Sequence, residues 1–451
     1  MFSQVFVAII SYLSTVATAA TVSSSPAQTI LGIGGSGAWW PHDLYRFPEA
    51  TRQNLSNLLF SQEGLGLSSY RWNVGAGGVG VSNPVRAPET FYIGAGTYNW
   101  SADPQGVYFL REASKRGVQD LTMFANSAPA PLTSGKTSCG SNFVSGSGNA
   151  YGTFLADVVE HFRNEGININ FISPMNEPDS DFGPVPCGQE GMKVASTQRA
   201  EVVNSLWNSL NQKGLANSVG ILADESSSLS LATNEYKDWL LQVVDKEICC
   251  SLGNADGSGR GWSGGYDPTI KNALMFSGLV FQSLVVAGES HYDFWTLVSN
   301  GIGCSPLNNP SCIANPNSNG WTDGVIYYDD EYATNRNYQL YITKHFWTYK
   351  HFGNFVKPGS QRRAITGSGA NNNMLAVSTS SKYYVLAMNP TNSASTLSLT
   401  FPENVCAVAS YRTSTSEDFA RLNGATRSGS SWSLPLNAMS LTTFEFNRGA
   451  C

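Results

Sequence analysis

The sequence predicts an α/β fold, a (β/α)8 TIM-type barrel fused to an antiparallel β-sandwich side domain, on three observations. From about Thr29, short apolar runs that end in polar residues alternate with segments of helical period. Past about Phe355 the helical period disappears, and short runs rich in Thr, Ser, Tyr and Val are divided by Gly, Pro or Asn. The length of 451 residues accommodates one barrel of about 250 residues or more and a satellite of about 100.

The first element is a leader. Val5 to Leu13 is apolar but too short to span a bilayer, and Ala17-Thr18-Ala19 follows with the small-x-small pattern of a signal-peptidase site. Residues 1–20 are read as a signal peptide, and the mature chain is expected to be secreted and soluble, with no later stretch reaching a membrane span. The barrel is assigned to residues 21–352, its first residues free to join the side sandwich, and the sandwich to residues 353–451. Leu55, Leu58 and Leu59, and later Val202, Val203, Leu206, Trp207 and Leu210, fall at i, i+3, i+4 spacing and mark amphipathic helices. Asp120 to Asn126, Ile167 to Asn176, Val219 to Glu225 and His291 to Leu297 read as barrel strands. Ser134 to Asn149 and Gly301 to Gly320, rich in Ser, Gly and Asn, read as loops over the barrel mouth. Met374 to Val377, Lys382 to Met388, Thr396 to Phe401, Ala407 to Arg412 and Leu441 to Phe446 read as sandwich strands.

Composition narrows the function classes. With 27 basic and 33 acidic residues the chain carries a formal charge of −6, which argues against nucleic-acid binding. Eight cysteines form an even set suited to an oxidising compartment, and Cys304–Cys312 and Cys406–Cys451 are the favoured pairs. No Cys-x-x-Cys or His-x-x-x-His spacing occurs and there are only five histidines, so neither a metal nor an organic cofactor is expected. Asn54-Leu55-Ser56 and Asn99-Trp100-Ser101 match the N-glycosylation pattern.

The strongest chemical signal is Met175-Asn176-Glu177-Pro178-Asp179. Pro178 ends the preceding strand and leaves Glu177 at its C-terminal end, the catalytic face of such a barrel. A carboxyl there serves as a general acid when burial raises its pKa, and Asn176 can donate to a sugar hydroxyl. Glycoside hydrolysis requires a second carboxylate, and Glu225, Glu247 and Glu289 all qualify by pattern.

Six segments resemble, in the same order, glycoside hydrolase family 30. They are Ile33-Gly34-Gly35-Ser36-Gly37-Ala38, Ser69-Tyr70-Arg71-Trp72-Asn73, Asn126-Ser127-Ala128-Pro129, Asn176-Glu177-Pro178, His291-Tyr292-Asp293-Phe294-Trp295 and the joint Phe352 to Gly359. The fungal endo-β-1,6-galactanase branch is the most similar. The resemblance implies a retaining enzyme with Glu177 on strand 4 as acid/base and Glu247, ending strand 7, as nucleophile. It assigns Arg71, Asn126, Asn176 and Trp295 to the shell around the −1 sugar, and implies endo attack on β-1,6-galactan side chains of arabinogalactan by a monomer that binds no nucleic acid and no membrane. The alternatives are the same chemistry on β-1,6-glucan, xylan or a glucosyl lipid, or a galactan-binding protein with an impaired site.

One departure from the family pattern underlies that last alternative. At about 31 residues per βα unit, the ends of strands 5 and 7 should lie roughly 60 residues apart, whereas Glu225 and Glu247 are separated by 22 positions. About one βα unit, around strand 6, is therefore expected to be missing. A seven-unit barrel is harder to close at the same tilt and shear.

Overall fold

In the computed structural model, the structure describes residues 19–223, 225–239, 252–253, 265–449 and 451. Parallel strands form an arc, Leu252–Gly253, His291–Phe294, Gly32–Gly35, Ser69–Val74, Asp120–Ala125, Ile169–Ser173 and Gly220–Ile221 in spatial order. Gly32–Gly35 joins Ser69–Val74 through a parallel bridge from Ser36 to Arg71 and a hydrogen bond from Ser68 N to Ile33 O. All six residues of Ser69–Val74 are buried, as for a parallel strand covered on both faces. Helices Glu49–Phe60, Pro104–Lys115, Gly148–Asn164 and Arg199–Gln212 fall between successive strands. Asp103 caps the second of these by accepting from Gly106 N at 3.0 Å, with Pro104 opening the first turn.

The arc ends, among the described residues, at Gly220–Ile221 on one side and Leu252–Gly253 on the other. The expected run 219–225 thus yields only a two-residue strand plus an isolated bridge from Glu225 to Asn176. A cavity of about 430 Å³ opens beside it, lined by Phe171, Trp207, Gly220, Ile221 and Leu222 among others.

The second body is one ten-stranded curled sheet. Its order is Ala420–Asn423, Val405–Thr413, Ser440–Arg448, Lys382–Asn389, Met374–Ser378, Gln361–Gly367, Ala20–Thr29, Ser395–Thr400, Ser431–Leu436 and Thr426–Ser428. Two-residue alternation gives the sheet two apolar faces. Ala376, Val385, Phe444 and Phe446 point into the sheet's own core with Val22, Leu399 and Leu434, whereas Leu375, Val377, Leu386 and Leu441 join the core shared with the helices. The pairing departs from a purely antiparallel pattern at one place. Ala20–Thr29 runs antiparallel to Gln361–Gly367 but parallel to Ser395–Thr400.

A further departure from the sequence reading concerns helix length. Ile270–Ala287 is an 18-residue helical stretch of mean hydropathy 1.5, long and apolar enough to meet the criterion for a span, where none was expected. Its Phe276 and Phe281 pack on Tyr349 and Phe352 of helix Lys344–Phe355, the environment of a core helix. The cysteine pairs Cys304–Cys312 and Cys406–Cys451 both form, and a third disulfide, Cys139–Cys187, joins them.

Candidate active site

Pro174 lacks an N–H and ends the Ile169–Ser173 strand, so Asn176 and Glu177 stand just beyond it. Asn176 N donates to Ala125 O at 3.1 Å, and Glu177 N donates to Glu225 O at 2.8 Å, which fixes this turn between its two neighbouring strand ends. Glu177 has a positive φ of 44°, a region in which a side chain of this size is rare and which clusters at functional sites.

Arg71 enters from Ser69–Val74, two strands away, buried to 1% exposure. Its Nη2 donates to Asn176 Oδ1 at 3.0 Å and to Glu225 Oε2 at 2.7 Å, and its guanidinium lies 3.3 Å from the Phe124 ring centre. Ser173 Oγ donates to the same Glu225 oxygen. Asn126 is buried, and its Nδ2 donates to Asn73 Oδ1 at 3.2 Å. Trp295 follows the His291–Phe294 strand and meets Trp39 edge-on at 4.6 Å, while the adjacent Thr296 donates to Ser36 O. Ser36 is in turn bridged to Arg71. Arg71, Asn176, Glu177 and Glu225 are therefore in direct contact along the strand ends, with Asn126 beside them and Trp295 reached through Ser36 and Trp39.

The three candidates for the second carboxylate separate. Glu247 lies outside the described residues. Glu289 precedes the His291–Phe294 strand, at the end away from Trp295, and its carboxylate accepts from Ser283 Oγ. Glu225 lies at the site but is held in a buried ion pair.

Electrostatics distinguish Glu177 from its neighbours. Burial raises its pKa first, the charges of Asp179 and Glu225 raise it further, and Arg71 works against them, for a net rise. The direction suits a carboxylic acid that must hold its proton until it protonates a leaving oxygen. Asp293, deeper in the arc, is driven the opposite way: although burial opposes ionisation, His291 at 3.1 Å holds its carboxyl below the usual range.

Sequence reasoning missed several groups that build the site. Ser173 and Asn73 lie inside the strand motifs already singled out, so only their contacts were invisible. Trp39 stands one residue past the Gly-rich opening, with φ 71°. Glu190, fully buried, accepts from Ala76 N and Gly78 N and ties down the loop after Ser69–Val74; the signal was a lone Glu in a Gly-rich stretch, which points nowhere by itself.

The comparisons show a glycoside hydrolase. The chain matches the family model described as O-Glycosyl hydrolase family 30 over residues 17–238. It is 24% identical over 262 residues to an endo-β-1,6-galactanase of Hypocrea rufa, covering 51% of this chain and 53% of that protein, so the match spans about half the length of that relative. Two solved structures share the fold. A conserved exported protein from Bacteroides fragilis matches at TM-score 0.78 and 18% identity over 95% of this chain and 100% of that one. The catalytic domain of xylanase C of the same family from Talaromyces cellulolyticus matches at 0.69 and 22% over 95% and 99%.

Proposed function

We propose that the chain is a secreted, retaining endo-glycosidase that cuts β-1,6-galactan side chains of arabinogalactan. The parallel arc is read as a (β/α)8 barrel short of one βα unit around strand 6, within residues 21–352, whose first residues, in Ala20–Thr29, join the sheet of residues 353–451 as the side domain. Glu177 protonates the glycosidic oxygen while Glu247 attacks C1; water, deprotonated by Glu177, then releases the glycosyl-enzyme. Arg71, Asn126, Asn176 and Trp295 hold the −1 sugar. Secretion after cleavage of the leader at Ala19, which keeps the paired Ala20, glycans on Asn54 and Asn99, whose residues are exposed, and a monomeric state complete the reading.

The observation that carries it is the raised pKa of Glu177 at a strand's C-terminal end, in contact with the Arg71–Asn176 cluster. The likeness to the Hypocrea rufa galactanase supports the choice of sugar. The test is reducing-sugar release from arabinose-stripped β-1,6-galactan. Glu177→Gln should lower kcat/KM by about 10²–10⁴, and Glu247→Gln should abolish turnover. Parental rates in Glu177→Gln would overturn the assignment of the acid.

A second reading, a galactan-binding protein that does not turn over, is favoured by the 22 positions that separate Glu225 from Glu247. Retaining catalysis needs carboxyls about 5–5.5 Å apart, and an arc that lacks a unit displaces strand 7. Binding of galactan by the folded protein with no sugar release distinguishes this reading.

A further inference from the structure

Glu225 is an acidic residue of the strand ends to which the proposed chemistry gives no role, and its environment is unusual. Its side chain is 7% exposed and its Arg71 partner 2%. Charges this deeply buried are costly to keep unless each is paired and hydrogen-bonded. Here one carboxylate oxygen takes both Arg71 Nη2 and Ser173 Oγ, and the same residue's carbonyl takes the backbone N–H of Glu177. So enclosed a carboxylate is poorly placed to attack a sugar. It is well placed to act on the groups that do.

We propose that Glu225 is a positioning residue that neutralises Arg71 beneath the acid and, through the shared Arg71 Nη2, fixes the direction in which Asn176 presents its amide. The geometry runs in two steps. Arg71 Nη2 is divided between Glu225 Oε2 and Asn176 Oδ1, so the Asn176 oxygen is committed inward and its Nδ2 is the atom left to face a sugar hydroxyl. The guanidinium, with Phe124 across its face and Glu225 at its edge, supplies Glu177 with a positive neighbour whose charge is already matched. The charged groups acting on Glu177 are Asp179 from its own turn, Arg71 from Ser69–Val74 and Glu225 from beyond Gly220–Ile221; Asp293, from His291–Phe294, faces Arg71 in turn. Glu225 raises the Glu177 pKa and Arg71 lowers it, so removing Glu225 leaves the lowering influence unopposed.

This inference rests on Glu177 being the acid, and the experiment separates the two. An acid must be protonated, so activity falls as pH rises through its pKa. In the full-length protein, Glu225→Gln should move the alkaline limb of kcat/KM on β-1,6-galactan downward by about one pH unit, while Glu225→Asp, which keeps the charge, should leave the limb in place. A residue that merely held the fold together would lower activity at every pH without moving the limb. Should Glu225→Gln fail to fold, the neutral pair Arg71→Gln with Glu225→Gln leaves no unmatched buried charge. Arg71→Gln alone should move the limb upward, and adding Glu225→Gln should bring it back down. An unmoved limb in Glu225→Gln, or no difference between the Arg71 single and double variants, overturns the role of Glu225. Parental activity in Glu177→Gln would overturn the acid assignment instead.

Discussion

The two sides of the parallel arc are built differently. On the Glu177 side, Ser69–Val74 and Asp120–Ala125 pair along six residues each, and Ile169–Ser173 continues the ladder. The loops that follow these strands are pinned: Cys139–Cys187 joins the second to the third, and Glu190 clamps the first through Ala76 and Gly78. On the other side, Gly220–Ile221 pairs along two residues and faces the 430 Å³ cavity. Glu177 and its hydrogen-bonded neighbours thus stand on the side with the long ladders, and Glu225 reaches across from the thin one. Where the two sides meet, an ion pair takes the place of a long ladder.

The largest stability effect should come at that junction. Glu225→Gln leaves Arg71 buried without its partner, and thermal or denaturant unfolding should report a loss of about 3–5 kcal/mol; a loss under about 1 kcal/mol would mean the two sides are not joined through this pair. The contrast between the sides can be measured with one chemistry at two places. Ile172→Ala, in a fully buried ladder position, should cost about 2–5 kcal/mol, and Ile221→Ala, half-buried at the cavity edge, about 1 kcal/mol or less. Equal losses would show the thin side to be as tightly packed as the other. A separate effect is in pH dependence. Burial pushes Glu190 up to about 8, well above its unfolded value of about 4.3. Its contribution to stability is therefore fully present below about pH 4.3 and lost as pH rises through about 8. Glu190→Gln should flatten part of the decline in unfolding temperature between pH 5 and 8. Asp103, also raised to about 8 by burial, should account for a share of what remains.

Legibility in the sequence followed the same divide. Strands such as Asp120–Ala125 were found within a residue or two because each is a dense apolar run closed by polar residues or Pro. The Val219 to Glu225 run looks equally strand-like, yet forms a ladder of two, because a strand needs a partner on its far edge and sequence shows runs, not partners. Sandwich strands were found where Val, Leu, Tyr and Phe are dense, but Ser431–Leu436, with Trp432, Leu434 and Leu436 alternating, was missed. Gln361–Gly367 and Ala420–Asn423, carrying Arg, Gln and Asn, were missed. Glu177 was visible from Pro178 and the strand before it. The part played by Glu225 was not, since a buried ion pair depends on the packing of Arg71, Ser173 and Phe124 from other strands.

The position of Ala20–Thr29 bears on how the molecule is made. This segment leaves the ribosome early, yet it sits inside the ten-stranded sheet, and its Thr21 hydroxyl meets that of Thr400 across 379 residues of chain. At 5–20 residues per second, roughly 20–75 s of synthesis separate the appearance of Ala20 from that of its last partner strand. Until Gln361–Gly367 emerges the segment has neither of its partners, and until Ser395–Thr400 follows it has one, so it is open to chaperones or to pairing with another molecule. The sheet therefore works as a clasp fastened by the final stretch of translation.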